Sequence, residues 1–279
     1  YAGLADCYQL QVYFDQLRST EGFPKARAAA LQAIEIDDKL AEAHTSLASI
    51  KGDFDWDWAG AEAEYKRAIE LNPNYATAYH WYGDFLAGIG RLEEATAQIR
   101  LARAIDPLSP VIGVTLGQMY CRANRCEQGI AEYKRVLDMF PTFLQAKAAT
   151  VEAYAELGQY DLAIQELEAP PWSTPSRSVL WGDTLWGYVL AVSGRKAEAL
   201  QFARDVERRK SWEHTDYTLA VIHAGLGDKD QAFARLEGAR RSHDIWMASL
   251  GSDGKLASLH ADRRYSELLR LMNIPARSD

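Results

Sequence analysis

Three prolines at a fixed interval constrain the fold of this chain more than any other sequence feature. Pro73, Pro107 and Pro141 follow one another at a spacing of 34 residues. A strict period of this length indicates a stack of helix pairs, because each repeat buries its apolar face only against its neighbours. We therefore predict an all-α fold of about seven helix pairs, with residues 263–272 forming a terminal helix.

The repeat over residues 76–109 shows how the pattern specifies one helix pair. Apolar residues in its second half recur three or four positions apart, which gives that helix a single buried face. Small residues occur where the helix axes must approach within about 8–10 Å. Gly90 separates the two halves, where a left-handed residue ends a helix at low steric cost. The residues with a predicted structural role in the repeat are Gly83, Ala95, Ala102, Pro73, Pro107 and Pro141.

A proline-rich stretch at 170–175 interrupts the repeats once. Tandem prolines cannot continue a helix. We therefore divide the chain into N-terminal repeats over 1–169, a break over 170–177, and C-terminal repeats with a capping helix over 178–279. A long loop is expected over 15–23, and helices are expected over 160–168 and 238–251.

The small residues, aromatic residues, glycine and proline recur together in a pattern that resembles the tetratricopeptide repeat over nearly the whole chain. The resemblance implies a superhelical solenoid of antiparallel helix pairs with a C-terminal capping helix. It also implies a non-catalytic scaffold whose concave groove, lined by the first helix of each pair, holds a peptide or helix of a partner protein. The groove residues implied by the resemblance are Thr45, Ser49, Thr77, His80, Asp84, Gln118, Arg122, Gln145, Glu152, Trp181, Tyr188 and Tyr217.

Three short stretches, at residues 1–6, 55–58 and 72–76, resemble a more specific group of proteins. They are similar to the C-terminal repeat region of large bacterial signalling proteins, which carry a winged-helix DNA-binding, adenylyl cyclase or protein kinase domain at the N-terminus. The resemblance implies that this chain is the sensory or regulatory part of such a protein. The alternative is a structural or oligomerisation module that packs against its own effector domain or against another copy.

The charge of the chain argues against nucleic acid as a partner of this segment. Its 31 basic and 39 acidic residues give a net charge of −8, whereas binding to a phosphate backbone requires a basic stripe. No apolar run in the sequence approaches the roughly 20 residues that span a bilayer. We expect a protein or peptide partner, without membrane insertion, and we leave homo-oligomer formation open.

No sequence motif indicates catalysis or a cofactor. The nucleophile elbow, the phosphate-binding loop, the dinucleotide-binding glycine pattern and the HExxH zinc motif are all missing. The chain is therefore predicted to be non-enzymatic and to need no cofactor.

Two groups of residues have the chemistry of a metal site without its full pattern. One group has the carboxylate spacing of a calcium loop, but Trp58 stands at the sixth position, where such a loop requires glycine. That group is Asp53, Asp55, Asp57 and Glu64. The other group is the three cysteines, which we expect to be reduced structural thiols because they are odd in number and lack a CxxC pair. They are Cys7, Cys121 and Cys126.

Overall fold

A computed structural model describes residues 1–14, 16–169, 182–209 and 214–274, and all regular secondary structure in this part of the chain is helical. The predicted all-α class is confirmed, as are the paired helices and the terminal helix. None of the described helices combines the length and apolar character needed to cross a membrane. The α-helices are α1 (Ala2–Tyr13), α2 (Ser19–Ile36), α3 (Ala41–Asp53), α4 (Trp58–Leu71), α5 (Ala76–Gly88), α6 (Leu92–Ile105), α7 (Pro110–Arg122), α8 (Cys126–Met139), α9 (Leu144–Glu156), α10 (Tyr160–Glu168), α11 (Gly182–Val192), α12 (Lys196–Arg209), α13 (Thr215–Leu226), α14 (Lys229–Arg241) and α15 (Arg263–Leu271).

Local side-chain chemistry sets several helix ends. Asp57 caps α4 by accepting a hydrogen bond from the Gly60 backbone N–H. Ser109 caps α7 in the same way, and Pro110 takes the first helical position, where its missing N–H leaves no hydrogen bond unmade. Gly227 ends α13 with a left-handed backbone, at φ 81°.

The long loop predicted over 15–23 is wrong, because α2 already begins at Ser19. Its first turn closes when the Gly22 N–H donates to the Arg18 carbonyl at 2.7 Å. Pro24 therefore falls in the second turn, where its missing N–H removes only one backbone hydrogen bond.

The helix predicted over 238–251 is wrong in its second half. Helix α14 ends at Arg241, and His243 adopts a left-handed backbone with φ 54°, which an α-helix cannot continue. The chain then forms two 3₁₀ segments, Ile245–Ser252 and Gly254–Leu259. The helix predicted over 160–168 is present as α10.

The chain divides into two compact units. Unit 1 contains Tyr1–Pro107 together with Ser242–Ser252 and residues 267–274, and unit 2 contains the described residues of 108–241 together with Asp253–Ser266. Each unit therefore combines consecutive helix pairs with pieces from the C-terminal end of the chain. The predicted break over 170–177 lies outside the described residues, so the domain division based on it stays a prediction.

Small residues and aromatic rings build the core of each unit. Ala95 and Ala102 of α6 are fully buried in unit 1, where the rings of Tyr65 and Tyr82 stack with centroids 5.5 Å apart. In unit 2 the ring of Tyr133 is buried among apolar side chains of α7, α8 and α9. The prolines that mark the period each lie two residues beyond the last residue of a helix, on the exposed ends of α4, α6 and α8.

The prediction of reduced cysteines is wrong for two of the three. Cys121 near the end of α7 and Cys126 at the start of α8 form a disulfide, because the turn between the helices brings them together. Cys7 is exposed and free.

Candidate protein-binding face

The C-terminal segment, residues 242–274, returns to the first helices of the pairs in both units. In unit 1 its first 3₁₀ segment packs on α3 and α5. The approach to α5 is so close that a Cβ atom added at Gly88 would lie 3.1 Å from the Ala248 carbonyl oxygen. The Trp58 indole donates a hydrogen bond to the Met272 carbonyl at 2.9 Å. The first-helix face of unit 1 is therefore covered by the chain itself.

Aromatic stacking fixes the start of the C-terminal segment on unit 1. The His243 ring stacks on the Trp56 ring with centroids 4.8 Å apart and planes nearly parallel. The His243 ring also lies 5.3 Å from the Phe54 ring. Trp56 itself has a left-handed backbone, with φ 55°, which is an uncommon conformation for a bulky residue. The turn after α3 thus carries the rings that receive His243.

A charged cluster fixes the C-terminal segment on unit 2. Lys255 Nζ lies 2.5 Å from the Glu152 carboxylate of α9 and 2.9 Å from Asp253 Oδ1. The Tyr217 hydroxyl of α13 donates to the other Asp253 oxygen, and Ser258 donates to the Ala224 carbonyl at 3.1 Å. The contacts on unit 2 thus come from first helices, as they do on unit 1.

The cluster keeps both of its buried charges ionised. Burial by itself lowers the pKa of Lys255, but the charges of Asp253 and Glu152 outweigh it and raise the pKa above its ordinary value. Burial by itself raises the pKa of Asp253, but the Lys255 charge and the Tyr217 hydrogen bond hold that pKa below its ordinary value. Lys255 and Asp253 therefore form a buried ion pair whose further hydrogen bonds come from α9, from α13 and from the Lys255 backbone N–H.

The predicted groove residues differ widely in how far they reach solvent. Five of them are buried, four are half-buried, two are exposed and one lies outside the described residues. The buried residues are Thr45, Ser49, His80, Tyr188 and Tyr217, and the half-buried residues are Thr77, Gln118, Gln145 and Glu152. The exposed residues are Asp84 and Arg122, and the residue outside the described part is Trp181. Their role in binding a partner stays a prediction.

The structure joins some of the predicted groove residues to each other and to the C-terminal segment. Glu152 and Tyr217 meet at Lys255 and Asp253 in unit 2. In unit 1, His80 Nε2 lies 3.2 Å from Asp84 Oδ2. Thr45 instead uses its hydroxyl to bond the Ala41 carbonyl of its own helix.

Sequence reasoning missed the residues that cover this face. Asp253 and Lys255 follow the last recognisable repeat, where no period connects a residue to its partner. Lys255 is 103 residues from Glu152. The one available signal is that a lysine and an aspartate stand among apolar residues in a segment that does not continue the repeat.

The four carboxylates with calcium-loop spacing each have a different partner. Asp57 caps α4, and Asp55 pairs with Arg27 at 2.5 Å. Glu64 lies 2.8 Å from Lys51 Nζ. Asp53 accepts hydrogen bonds from Tyr13 and from Ser49. The shared spacing therefore does not bring the four groups to one point.

Asp53 is expected to couple the stability of unit 1 to pH. Burial raises the pKa of Asp53 to about 6, against the lowering effect of hydrogen bonds from Tyr13 and Ser49. Because this value lies above the ordinary 3.8, the folded chain holds the proton more tightly than the unfolded chain does. The resulting stability is present at acidic pH and is lost as pH rises through this window.

We compare the unfolding free energy of the parent with that of the Asp53→Asn variant. The value for the parent minus the value for the variant should fall by about 1 kcal/mol between about pH 4 and pH 7. Urea denaturation of both chains across this range measures the difference. Other carboxylates contribute equally to both chains, so a difference that stays constant with pH would contradict the assignment.

Comparison with known proteins confirms the tetratricopeptide repeats. Residues 64–97 and residues 114–172 each match a family model described as tetratricopeptide repeat. The first match runs from the middle of α4 to the middle of α6, and the second begins within α7 and includes α8, α9 and α10. No curated protein matches the sequence.

Solved structures with tetratricopeptide folds resemble this chain at low sequence identity. A tetratricopeptide repeat protein from Parabacteroides merdae is 13% identical, over 90% of this chain and 93% of its own, with a TM-score of 0.62. One chain of the APC/C hetero-tetramer Cut9–Hcn1 is 14% identical, over 96% of this chain and 54% of its own, with a TM-score of 0.58. PilF of Pseudomonas aeruginosa is 21% identical, over 75% of this chain and 92% of its own, with a TM-score of 0.51. At these levels of identity, the likeness shows a shared fold.

Proposed function

We propose that this chain is a non-catalytic protein-interaction module whose first-helix face holds a short segment of a partner protein. Proteins with tetratricopeptide repeats generally mediate protein–protein interactions. The observation that carries the finer proposal is the C-terminal segment, which already occupies this face through side-chain contacts in unit 2. A face that accepts one peptide segment in this way has the contacts needed for another.

The chemistry of the face in unit 2 specifies what such a partner segment would contain. The Glu152 carboxylate attracts a cation, and the Tyr217 hydroxyl offers a hydrogen bond to an acceptor. In the C-terminal segment these needs are met by Lys255 and Asp253, two residues apart. We infer that a partner segment presents an acidic residue followed closely by a lysine. Shallow contacts along the remaining groove residues would add to its affinity.

We extend the proposal to the context of the chain. The resemblance of residues 1–6, 55–58 and 72–76 to the repeat region of bacterial signalling proteins supports a sensory or regulatory role in a larger protein of that kind. In such a protein, capture of a partner segment would alter the state of an effector domain.

A second candidate function is a structural module whose face stays closed. The observation that favours it is the covering of first helices by the C-terminal segment in both units. In that case the face contributes stability to the chain and binds no partner. The module would then pack against its own effector domain or another copy through different surfaces.

A peptide competition experiment distinguishes the two functions. In the parent chain the C-terminal segment is tethered to its face, at an effective concentration on the order of millimolar. Lys255→Glu places a like charge against Glu152 and weakens that occupancy. We expect a fluorescent peptide with the sequence of residues 250–262 to bind the Lys255→Glu chain at least about tenfold more tightly than the parent. Fluorescence anisotropy measures both affinities.

Charge reversal at Glu152, the partner of Lys255, provides the matched control. The triple variant Glu152→Lys, Lys255→Glu and Asp253→Asn exchanges the signs of the ion pair and removes the Asp253 charge, which would otherwise repel the new carboxylate. Circular dichroism of this variant should show the helicity of the parent. Glu152→Lys alone should prefer a peptide that carries glutamate in place of lysine. If the Lys255→Glu chain binds both peptides equally, or neither, the partner-binding proposal fails and the structural module is favoured.

A further inference from the structure

Two cysteines and a glutamate meet in unit 2, next to the C-terminal segment, where a Cβ atom added at Gly254 would lie 3.2 Å from Glu156 Oε1. Cys121 is the second-to-last residue of α7, Cys126 is the first residue of α8, and Glu156 is the last residue of α9. Cys126 Sγ lies 3.1 Å from Glu156 Oε2. The two sulfurs and a Glu156 carboxylate oxygen all lie within 4.8 Å of one another. Three helix ends thus bring together three groups that bind metals.

Two glycines allow the helices to come this close. A Cβ atom added at Gly129 of α8 would lie 2.6 Å from the Gly117 carbonyl oxygen and 2.8 Å from Cys121 Sγ. Any other residue at Gly129 would therefore push α8 away from α7 and occupy the space of the sulfur. The close packing of these two helices is what places Cys121 beside Cys126.

The surroundings of the sulfurs suit thiolate ligands. Cys126 stands at the N-terminal end of a 14-residue helix, where the helix dipole stabilises a negative charge. The Tyr133 hydroxyl lies 4.0 Å from Cys121 Sγ, within reach of a weak hydrogen bond to sulfur. Cys126 is buried, and Cys121 is half-buried and remains accessible from solvent.

We propose that the reduced form of this cysteine pair, together with Glu156, is a binding site for Zn²⁺, and that the disulfide is its closed form. A low-molecular-weight thiol reductant opens the site: it supplies two electrons and is itself oxidised to a disulfide, while the two protein sulfurs take up two protons. Binding of Zn²⁺ then releases these two protons as both thiols become thiolates.

Ligand chemistry selects zinc over harder divalent cations. Thiolates favour soft or borderline ions, whereas Ca²⁺ and Mg²⁺ prefer sites made entirely of oxygen ligands. Zinc accepts mixed sulfur and carboxylate ligands in tetrahedral geometry, at about 2.3 Å from sulfur and about 2.0–2.2 Å from oxygen. Two sulfurs and one oxygen leave the fourth tetrahedral position for water. Glu156 follows Glu152 by one turn of α9 and lies next to the C-terminal segment. The proposal is nevertheless tested through Zn²⁺ affinity and Co²⁺ absorption rather than peptide affinity, so it can fail or hold independently of the proposed function.

The test uses the full chain and one sequence in two redox states. The chain is reduced with a phosphine, which takes an oxygen atom from water as it becomes the phosphine oxide, and Zn²⁺ affinity is then measured by competition with a chromophoric chelator. We expect the reduced chain to bind one equivalent of Zn²⁺ and the oxidised chain to bind none. With Co²⁺ as a spectroscopic probe, the reduced chain should show the absorption of thiolate-to-metal charge transfer in a tetrahedral site.

Three variants complete the test. Cys121→Ser should abolish the charge-transfer absorption, and Glu156→Gln should weaken Zn²⁺ binding by at least about tenfold. Cys7→Ser is the matched control and should bind Zn²⁺ as the parent does. Because the oxidised and reduced parent share one sequence, their comparison decides the matter even if a cysteine variant loses helicity. The proposal is overturned if the reduced parent with Co²⁺ shows no thiolate-to-metal charge-transfer absorption. It is also overturned if the Zn²⁺ affinity is the same in both redox states.

Discussion

Lys255→Ala is expected to lower the free energy of unfolding by about 3–5 kcal/mol, the largest loss we expect from a single charged residue of this chain. The Lys255 side chain is only 16% exposed, and its ammonium group lies between two carboxylates. Its removal leaves Asp253, which is 7% exposed, as a buried negative charge beside Glu152 with no cation to balance it. An uncompensated buried charge destabilises a fold far more than the loss of an exposed ion pair does.

Chemical denaturation followed by circular dichroism measures this loss. Lys196→Ala is a suitable control, because Lys196 is exposed at the start of α12 and should change the unfolding free energy by less than about 0.5 kcal/mol. The triple variant Lys255→Met, Asp253→Asn and Glu152→Gln removes all three charges together and should recover much of the lost stability. If Lys255→Ala matches its control, the charged cluster does not hold the C-terminal segment in place.

Gly83→Leu is expected to destabilise unit 1 by about 3 kcal/mol. A Cβ atom at Gly83 would lie 2.5 Å from Ile99 Cδ1 and 3.2 Å from the Ala95 carbonyl oxygen. The Ile99 side chain can turn away from a methyl group, but the backbone of α6 cannot make room for the further carbons of leucine. Helices α5 and α6 would have to separate, and their shared buried face would be exposed to water.

The adjacent residue gives the matched comparison. Asp84 is exposed, and its carboxylate lies 3.2 Å from His80 Nε2 on its own helix. Asp84→Lys should therefore change the unfolding free energy by less than about 1 kcal/mol. Gly3→Ala, where no atom lies within 4 Å of the new Cβ, should leave stability equal or slightly raised. An Asp84→Lys chain as unstable as Gly83→Leu would show that this helix is not divided into a packing side and an open side.

The helix pairs could be predicted from sequence because the information that specifies them is local. Apolar spacing, small residues at crossings and a residue such as Gly227 at a helix end all act within one repeat and its neighbours. The same is true of Ser109 and Pro110, whose roles at the start of α7 follow from their own backbone chemistry. Because the sequence is periodic, each of these signals recurs in successive repeats along the chain.

The cover of the first-helix face could not be predicted, because it depends on contacts between residues far apart in sequence. Nothing near Lys255 specifies that its partner is Glu152, and nothing near His243 specifies the Trp56 ring. The disulfide was missed for a different reason. The odd number of cysteines and the lack of a CxxC pair favour reduced thiols. Cys121 and Cys126 are instead brought together by the turn between α7 and α8.

The contacts between residues 242–274 and the helices of the first two repeats change how this part of the protein can fold. A repeat array normally forms through contacts between neighbouring repeats, so it can assemble progressively as the chain leaves the ribosome. Here the hydrogen bond from Trp58 to Met272 joins residues 214 positions apart, and the contact from His243 to Phe54 joins residues 189 apart. At a synthesis rate of about 5–20 residues per second, the first helices of unit 1 therefore stay uncovered for roughly ten seconds or more before the residues that cover them emerge. During that interval a chaperone or a partner has access to a surface that the finished chain keeps covered.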